Sequence, residues 1–253
     1  MTIAHSAIRP HAPVPQAVAS RARPTDFAAA HVGGWALIAA ALGFIGVFSY
    51  LAARFDYPAV LDGGAADVLP RLLALGEVGR SAWAVYAMIP LLLLPAAVGA
   101  HAVLGERAPG AMRAGVLFAA LAAFSMTLGL ARWPSVHWEL ARAYELASPD
   151  GRVAIDAVFR GLNVYLGNVI GEFLGELSLN AFFALTGFTM LRAGRRWAGY
   201  GGLAVAAIGL VAALRNVTPA VGPIAEVNNY VLPAWLIVLG LVLIRGGRTW
   251  SEP

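Results

Sequence analysis

Six long apolar segments divide the chain, and each is long enough to cross a lipid bilayer as a helix. A helix rises 1.5 Å per residue, so about 20 apolar residues cover the hydrocarbon layer. In lipid the backbone must satisfy its own hydrogen bonds, which a helix does. The segments are residues 27–52, 81–104, 111–131, 162–191, 197–214 and 227–244. We therefore predict an all-α membrane protein, a six-helix bundle with short amphipathic helices on its extracytoplasmic side.

Composition supports this class and excludes others. The chain is 59% hydrophobic and 13% charged, whereas a soluble domain carries about 25% charged residues. It has no cysteine, so disulfides and thiol catalysis are excluded. The 18 basic residues, all arginine, are scattered along the membrane borders. We therefore expect a lipid bilayer as the partner rather than nucleic acid, and no cofactor.

The polar stretches set the expected domain boundaries. Residues 1–26 are rich in proline and alanine and are predicted to be a disordered cytoplasmic tail, followed by a membrane domain over 27–246 and a short tail over 247–253. The first apolar run is too long for a signal peptide. Two longer connections, 53–80 and 132–161, are each expected to contain a short helix, and the one in 53–80 is expected to be amphipathic and to lie at the membrane interface. After a turn in 132–161, a new helix is expected to start and to run into the fourth span.

Arginine placement predicts the orientation. With the N-terminus inside, ten arginines fall on the inner side and eight on the outer side, and the inner ones crowd short loops such as residues 192–196. Positive charge favours the cytoplasmic side. We expect a multi-pass protein of a bacterial inner membrane with both termini cytoplasmic.

A four-residue repeat of glycine and polar residues marks the fourth segment. At about 100° per residue, residues four apart follow one slowly winding stripe of an α-helix. The polar stripe consists of Asn168, Glu172, Glu176 and Asn180. Charged side chains in a membrane span mark candidate functional sites. We interpret the stripe as a site for a proton or small polar ligand.

Glycines form the neighbouring flank of the same helix. Gly167, Gly171 and Gly175 lie four residues apart, a spacing that lets two helices approach closely. We predict that this flank packs against another helix. It is also a candidate surface for a homodimer.

Depth separates the two carboxylates. If the helix enters the hydrocarbon near Val164, Glu172 lies about 12 Å down and Glu176 about 18 Å down, near the middle. Arg132 and Arg215 lie at outer helix ends and are expected to reach Asn168 or Glu172. We therefore predict that Glu172 is ion-paired, and that Glu176 is unpaired and protonated.

The histidines within the apolar segments and loops are weaker candidates for functional residues than the acidic stripe. His31 and His101 lie near the inner ends of two spans and are expected to face the headgroup layer, although paired imidazoles can also bind haem. His137 is expected on a solvated surface helix anchored by Trp138.

Three interpretations of function stay open. The first is a module whose acidic site binds a proton, a cation or a small polar molecule for transport or sensing. The second is an accessory subunit in which the polar residues only hold helices together. The third is a membrane enzyme acting on lipids, with the two carboxylates as an acid/base pair.

The chain also resembles a bacterial family of six-helix membrane proteins, domain-of-unknown-function family 4386. The likeness covers residues 30–245 and rests on helix spacing, Arg132 after the third span, a helix leading into the glycine-rich fourth span, and the residues 232–235 (Leu-Pro-Ala-Trp) that open the sixth. The resemblance implies the six-helix topology. It implies no substrate, cofactor or catalytic residue.

Overall fold

The computed structural model describes residues 24–249, and this part of the chain is helical throughout with no strand. It holds six helical spans that are long and apolar enough to cross a membrane. They are Asp26–Phe55, Gly76–Leu104, Pro109–Leu146, Pro149–Arg192, Arg196–Asn216 and Pro219–Gly246. The prediction of an all-α six-helix membrane protein is confirmed.

Ten α-helices build these spans and their connections. They are α1 (Pro24–Phe55), α2 (Ala65–Ala74), α3 (Gly76–Met88), α4 (Leu93–Leu104), α5 (Pro109–Ala131), α6 (Trp138–Leu146), α7 (Pro149–Leu162), α8 (Gly175–Arg192), α9 (Arg196–Ala213) and α10 (Gly222–Thr249). Short 3₁₀ turns lie at Ala59–Asp62, Ile89–Leu92, Leu214–Asn216 and Pro219–Val221, and π-helical segments at Trp133–His137 and Asn163–Leu174.

The spans form a closed ring in chain order. Helix α4 contacts α1 and α5, α8 contacts α5 and α9, and α10 joins α9 to α1. Side chains such as Leu37, Phe182, Phe183 and Leu239 fill the interior and are fully or almost fully buried. We call the end where the first span begins and the sixth ends the terminal side, and the opposite end the distal side.

Close backbone contacts between glycines hold neighbouring spans together. A Cβ atom added to Gly33 would lie 3.0 Å from the Cα of Gly99, and one added to Gly34 would lie 2.6 Å from the carbonyl oxygen of Gly240. Lipid offers no hydrophobic drive for helix association, so close van der Waals contact between small residues takes its place.

The distal side carries a cap of short helices. The apolar face of α2, with Val68 and Leu72, is fully buried in a cluster with aromatic residues of the spans, including Trp83 and Trp133. The backbone N–H of Ala65 also donates to the Asp156 carboxylate at 3.0 Å. The predicted helix in the first connection is confirmed, but its apolar face packs on the protein rather than on lipid.

The second connection also follows its prediction. Helix α6 ends at Leu146, the chain turns at Ala147 and Ser148, and a helix starting at Pro149 runs on into the fourth span. The hydroxyl of Ser148 accepts from the N–H of Gly151 at 3.3 Å, which caps this helix.

The helices extend slightly beyond the predicted membrane domain. Helix α1 includes residues 24–26 and α10 includes residues 247–249, so these residues are helix rather than tail. The rest of the two predicted tails, 1–23 and 250–253, lies outside the described residues.

Candidate functional site: an arginine shared by two carboxylates

Arg215 joins the two carboxylates of the fourth span. Its Nη1 and Nη2 donate to the two oxygens of Glu176 at 2.7 and 2.6 Å. The same Nη2 also donates to one oxygen of Glu172 at 3.1 Å. A guanidinium that meets both oxygens of a carboxylate makes the strongest kind of side-chain ion pair. Arg215 is the last residue but one of the fifth span, so the pair ties the fourth span to the distal end of the fifth.

The predicted roles of the two carboxylates are wrong in one respect. Glu172 is ion-paired as predicted, but Glu176 is not out of reach of an arginine, and it is the more tightly held of the two. The side chain of Glu176 is 15% exposed and that of Glu172 is 29% exposed. Glu176 was expected to be protonated because it was expected to have no arginine partner. Arg215 is such a partner, so this argument for a protonated Glu176 does not apply.

The depth assigned to Glu176 explains the error. Helix α8 is continuous from Gly175 to Arg192, so Glu176 lies about 24 Å from the terminal end of this helix. Arg215 lies about 29 Å from the start of the fifth span, close to the distal border of a hydrocarbon layer about 30 Å thick. The fourth span has 44 residues and protrudes on the distal side. Glu176 and Arg215 therefore lie at similar heights along neighbouring helices, within reach of each other.

A π-helical segment also changes the predicted stripe. Residues Asn163–Leu174 form π-helix, whose hydrogen bonds close from i to i+5 and which has more residues per turn than an α-helix. The spacing of 100° per residue therefore holds only from Gly175 onward. Irregular turns of this kind recur at functional sites.

The two asparagines of the stripe have different surroundings. Asn180 is 3% exposed, and its Nδ2 donates to the carbonyl oxygen of Glu176 at 2.8 Å. It packs directly on Gly209 of the fifth span, where an added Cβ would lie 2.1 Å from the Asn180 Oδ1. Asn168 is half-buried, and its side chain makes no hydrogen bond within residues 24–249. Asn180 therefore lies in a tight interface, and Asn168 is not part of the Arg215 network.

Arg132 binds a residue outside the predicted stripe. Its Nε and Nη2 donate to Asn163 Oδ1 at 3.2 and 2.9 Å, and its Nη1 donates to the carbonyl oxygen of Gly129. The guanidinium lies 5.1 Å from the ring centre of Trp133. It makes no ion pair within 4.0 Å among the described residues, although it interacts electrostatically with Glu172. The expectation that Arg132 reaches Asn168 or Glu172 directly is wrong.

The glycine flank packs against the third span of the same chain. Added Cβ atoms would lie 2.8 Å from the Gly129 Cα at Gly171, and 2.6 Å from the Met126 Cγ at Gly175. At Gly167 the space is taken by the guanidinium of Arg132, 2.5 Å away. The predicted packing role of these glycines therefore has its partner within the chain. The flank is covered and leaves no open surface there for a second copy.

His137 is buried rather than solvated. Its side chain is fully buried and that of Trp138 is 5% exposed, because this end of α6 packs against α2 and the aromatic cluster. Both ring nitrogens of His137 lack a hydrogen-bond partner. The ring lies 4.8 Å from that of Trp133 and 4.7 Å from that of Phe159, measured between centroids. The predicted surface helix is present, but its first turn belongs to the aromatic cluster.

The other two histidines show no ligand arrangement. His31 Nδ1 lies 3.1 Å from the carbonyl oxygen of Phe27, and His101 is half-buried. Among residues 24–249 there is no group of three or more histidine, aspartate or glutamate side chains that could hold a metal ion.

Sequence reasoning missed Tyr57 and Asn163. Tyr57 lies in the first connection, and desolvation raises the pKa of its hydroxyl to about 12, with the negative charge of Glu172 adding to the shift. Tyr57 is therefore a buried hydroxyl that feels the charge of Glu172 and stays uncharged to higher pH than an exposed tyrosine. No local pattern marks it. Asn163 lies five residues before Asn168, which is one turn of a π-helix. The α-helical period of 3.6 residues used in the sequence analysis does not place these two residues on one face.

In comparisons with known proteins, the chain matches no family model, no curated protein sequence and no solved structure. The resemblance to domain-of-unknown-function family 4386 therefore stays a prediction.

Proposed function

We propose that this multi-pass membrane protein binds a proton or a small cation at Glu172, for transport or sensing. The observation that carries the proposal is the sharing of Arg215 by two carboxylates. One guanidinium balances one carboxylate. Glu176 accepts hydrogen bonds from both Nη atoms of Arg215, whereas Glu172 shares only Nη2. The negative charge of Glu172 is therefore balanced less completely than that of Glu176.

The surroundings of Glu172 support this assignment. Only one of its oxygens accepts a hydrogen bond from Arg215, and 29% of its side chain is exposed. Arg132 acts on it electrostatically, but the hydrogen bonds of Arg132 go to Asn163 and Gly129. A proton or cation can therefore reach Glu172 while Glu176 and Arg215 hold the helices in place.

The test is infrared difference spectroscopy of the protein in lipid nanodiscs, titrated from pH 8 to pH 4 and repeated with added sodium or potassium. We expect a protonated-carboxyl band whose midpoint shifts with cation concentration and which is lost in Glu172→Gln. Glu145→Gln is the matched control, because Glu145 is an exposed carboxylate on the distal cap. A band that persists unchanged in Glu172→Gln contradicts the proposal, and so does the absence of any protonated-carboxyl band in the unchanged chain between pH 8 and pH 4.

A structural accessory role is the second candidate, and the two-oxygen pair between Arg215 and Glu176 favours it. In that case Glu176→Gln and Gly171→Leu should impair folding or assembly, and Glu172→Gln should have no phenotype. The binding proposal expects the reverse, with Glu172→Gln folded but inactive in the titration. The lipid-enzyme interpretation is least favoured, since Arg215 holds both carboxylates that would act as acid and base.

A further inference from the structure

A groove opens between the fifth and sixth spans on the terminal side, far from the Arg215 site. It has a volume of about 360 Å³, and its lining includes Arg195, Trp197, Val238, Leu241 and Arg245. Trp197 is 65% exposed and Leu241 39% exposed. The side chains of Trp197 and Leu241 therefore face the surroundings of the bundle rather than its core.

The lining divides into a charged rim and an apolar wall. Arg195 immediately precedes the fifth span, and Arg245 lies one residue before the end of the sixth, so both guanidinium groups are at a membrane border. Val238 and Leu241 lie further along the sixth span, where hydrocarbon surrounds the helix. Trp197 lies at the same border, a position typical of tryptophan in membrane proteins.

We propose that this groove binds an anionic phospholipid. Arg195 and Arg245 would contact the phosphate, since guanidinium groups pair well with phosphate oxygens, and Val238 and Leu241 would line one acyl chain. Basic pockets between membrane helices take anionic headgroups in this way. The apolar wall favours a lipid over a free anion, because a free anion gains nothing from Val238 and Leu241.

The experiment is native mass spectrometry of the full chain in detergent, titrated with phosphatidylglycerol or phosphatidylcholine. Each arginine near an anionic headgroup is worth about fivefold in affinity. We expect phosphatidylglycerol to bind more tightly than phosphatidylcholine, and Arg195→Gln with Arg245→Gln together to remove that preference. Arg113→Gln is the matched control, because Arg113 is exposed at the terminal end of the third span and does not line the groove. Leu241→Trp, which fills the apolar wall without changing charge, should weaken binding of the lipid; circular dichroism checks that each variant is folded.

Three outcomes would overturn the proposal. The first is equal binding of the two lipids by the unchanged chain. The second is a loss in Arg113→Gln as large as that in the groove variants, which would indicate a diffuse basic surface. The third is competition by soluble glycerol phosphate at the same concentration as the lipid, with no effect of Leu241→Trp, which would indicate a site for a free anion.

Discussion

Replacing Arg215 with glutamine should destabilise the distal half of the bundle more than any other single loss of charge there. The change removes three hydrogen bonds to Glu172 and Glu176 and leaves two carboxylates beside each other. Like charges at close range repel, and neither group keeps its cationic partner.

The expected magnitude follows from the burial of the three side chains. Breaking a fully buried ion pair by removing one partner costs about 3–5 kcal/mol. Here the side chains are 15–29% exposed, so water replaces part of the lost interaction and we expect about 2–4 kcal/mol. The two short bonds to Glu176 should give a coupling energy of about 2 kcal/mol with Arg215, and the single longer bond to Glu172 about 1 kcal/mol.

Reversible unfolding in mixed detergent measures these free energies, with double-mutant cycles for each arginine–glutamate pair. Arg142→Gln is the control, because its pair with Glu139 is 3.9 Å long with both side chains more than 60% exposed, and such pairs contribute about 0–1 kcal/mol. The reasoning fails if Arg215→Gln costs no more than Arg142→Gln, or if the coupling to Glu172 equals or exceeds that to Glu176.

Three further changes test other parts of the structure. Gly171→Ala should cost about 1–3 kcal/mol in the same unfolding assay, because its Cβ would meet the backbone of the third span. Gly46→Ala is the control and should change stability little, because no atom lies within 4 Å of the added carbon. Equal losses of stability in the two variants would contradict the close packing at Gly171. His137→Phe should leave the melting temperature equal or higher, since it removes two buried nitrogens without partners from an aromatic cluster. A marked fall would contradict this reasoning, because it would indicate that a ring nitrogen of His137 is hydrogen-bonded. Because the pKa of Tyr57 is raised to about 12, its contribution to stability is complete below pH 10 and is lost as pH rises through 12. Ultraviolet difference titration against Tyr57→Phe should show one tyrosine ionising late, and ionisation near pH 10 would refute the shift.

The sequence alone was sufficient for the membrane class, the six spans and most of the connecting helices. Runs of about 20 apolar residues have few alternatives to a spanning helix, since lipid leaves the backbone no other hydrogen-bond partners. Ser148 and Pro149 marked the start of the long fourth helix, because serine is a favoured N-cap residue and proline is favoured at the first helical position. The glycine spacing also indicated a packing flank, since small residues allow close approach whatever the partner is.

Only the tertiary structure decided which groups meet. The partner of Gly171 is Gly129 of the third span, and nothing in the spacing of either glycine names the other. Pairing of Glu176 with Arg215 depends on how far the fourth span protrudes relative to the fifth, and a shift of one helical turn, about 5 Å, would separate the charges. Arg132 likewise meets Asn163, the first residue of the π-helical segment 163–174, and no spacing in the sequence pairs these two residues. The sequence by itself determined where the polar residues lie along each helix, whereas the axial offset between helices, set by packing across the bundle, decided their partners.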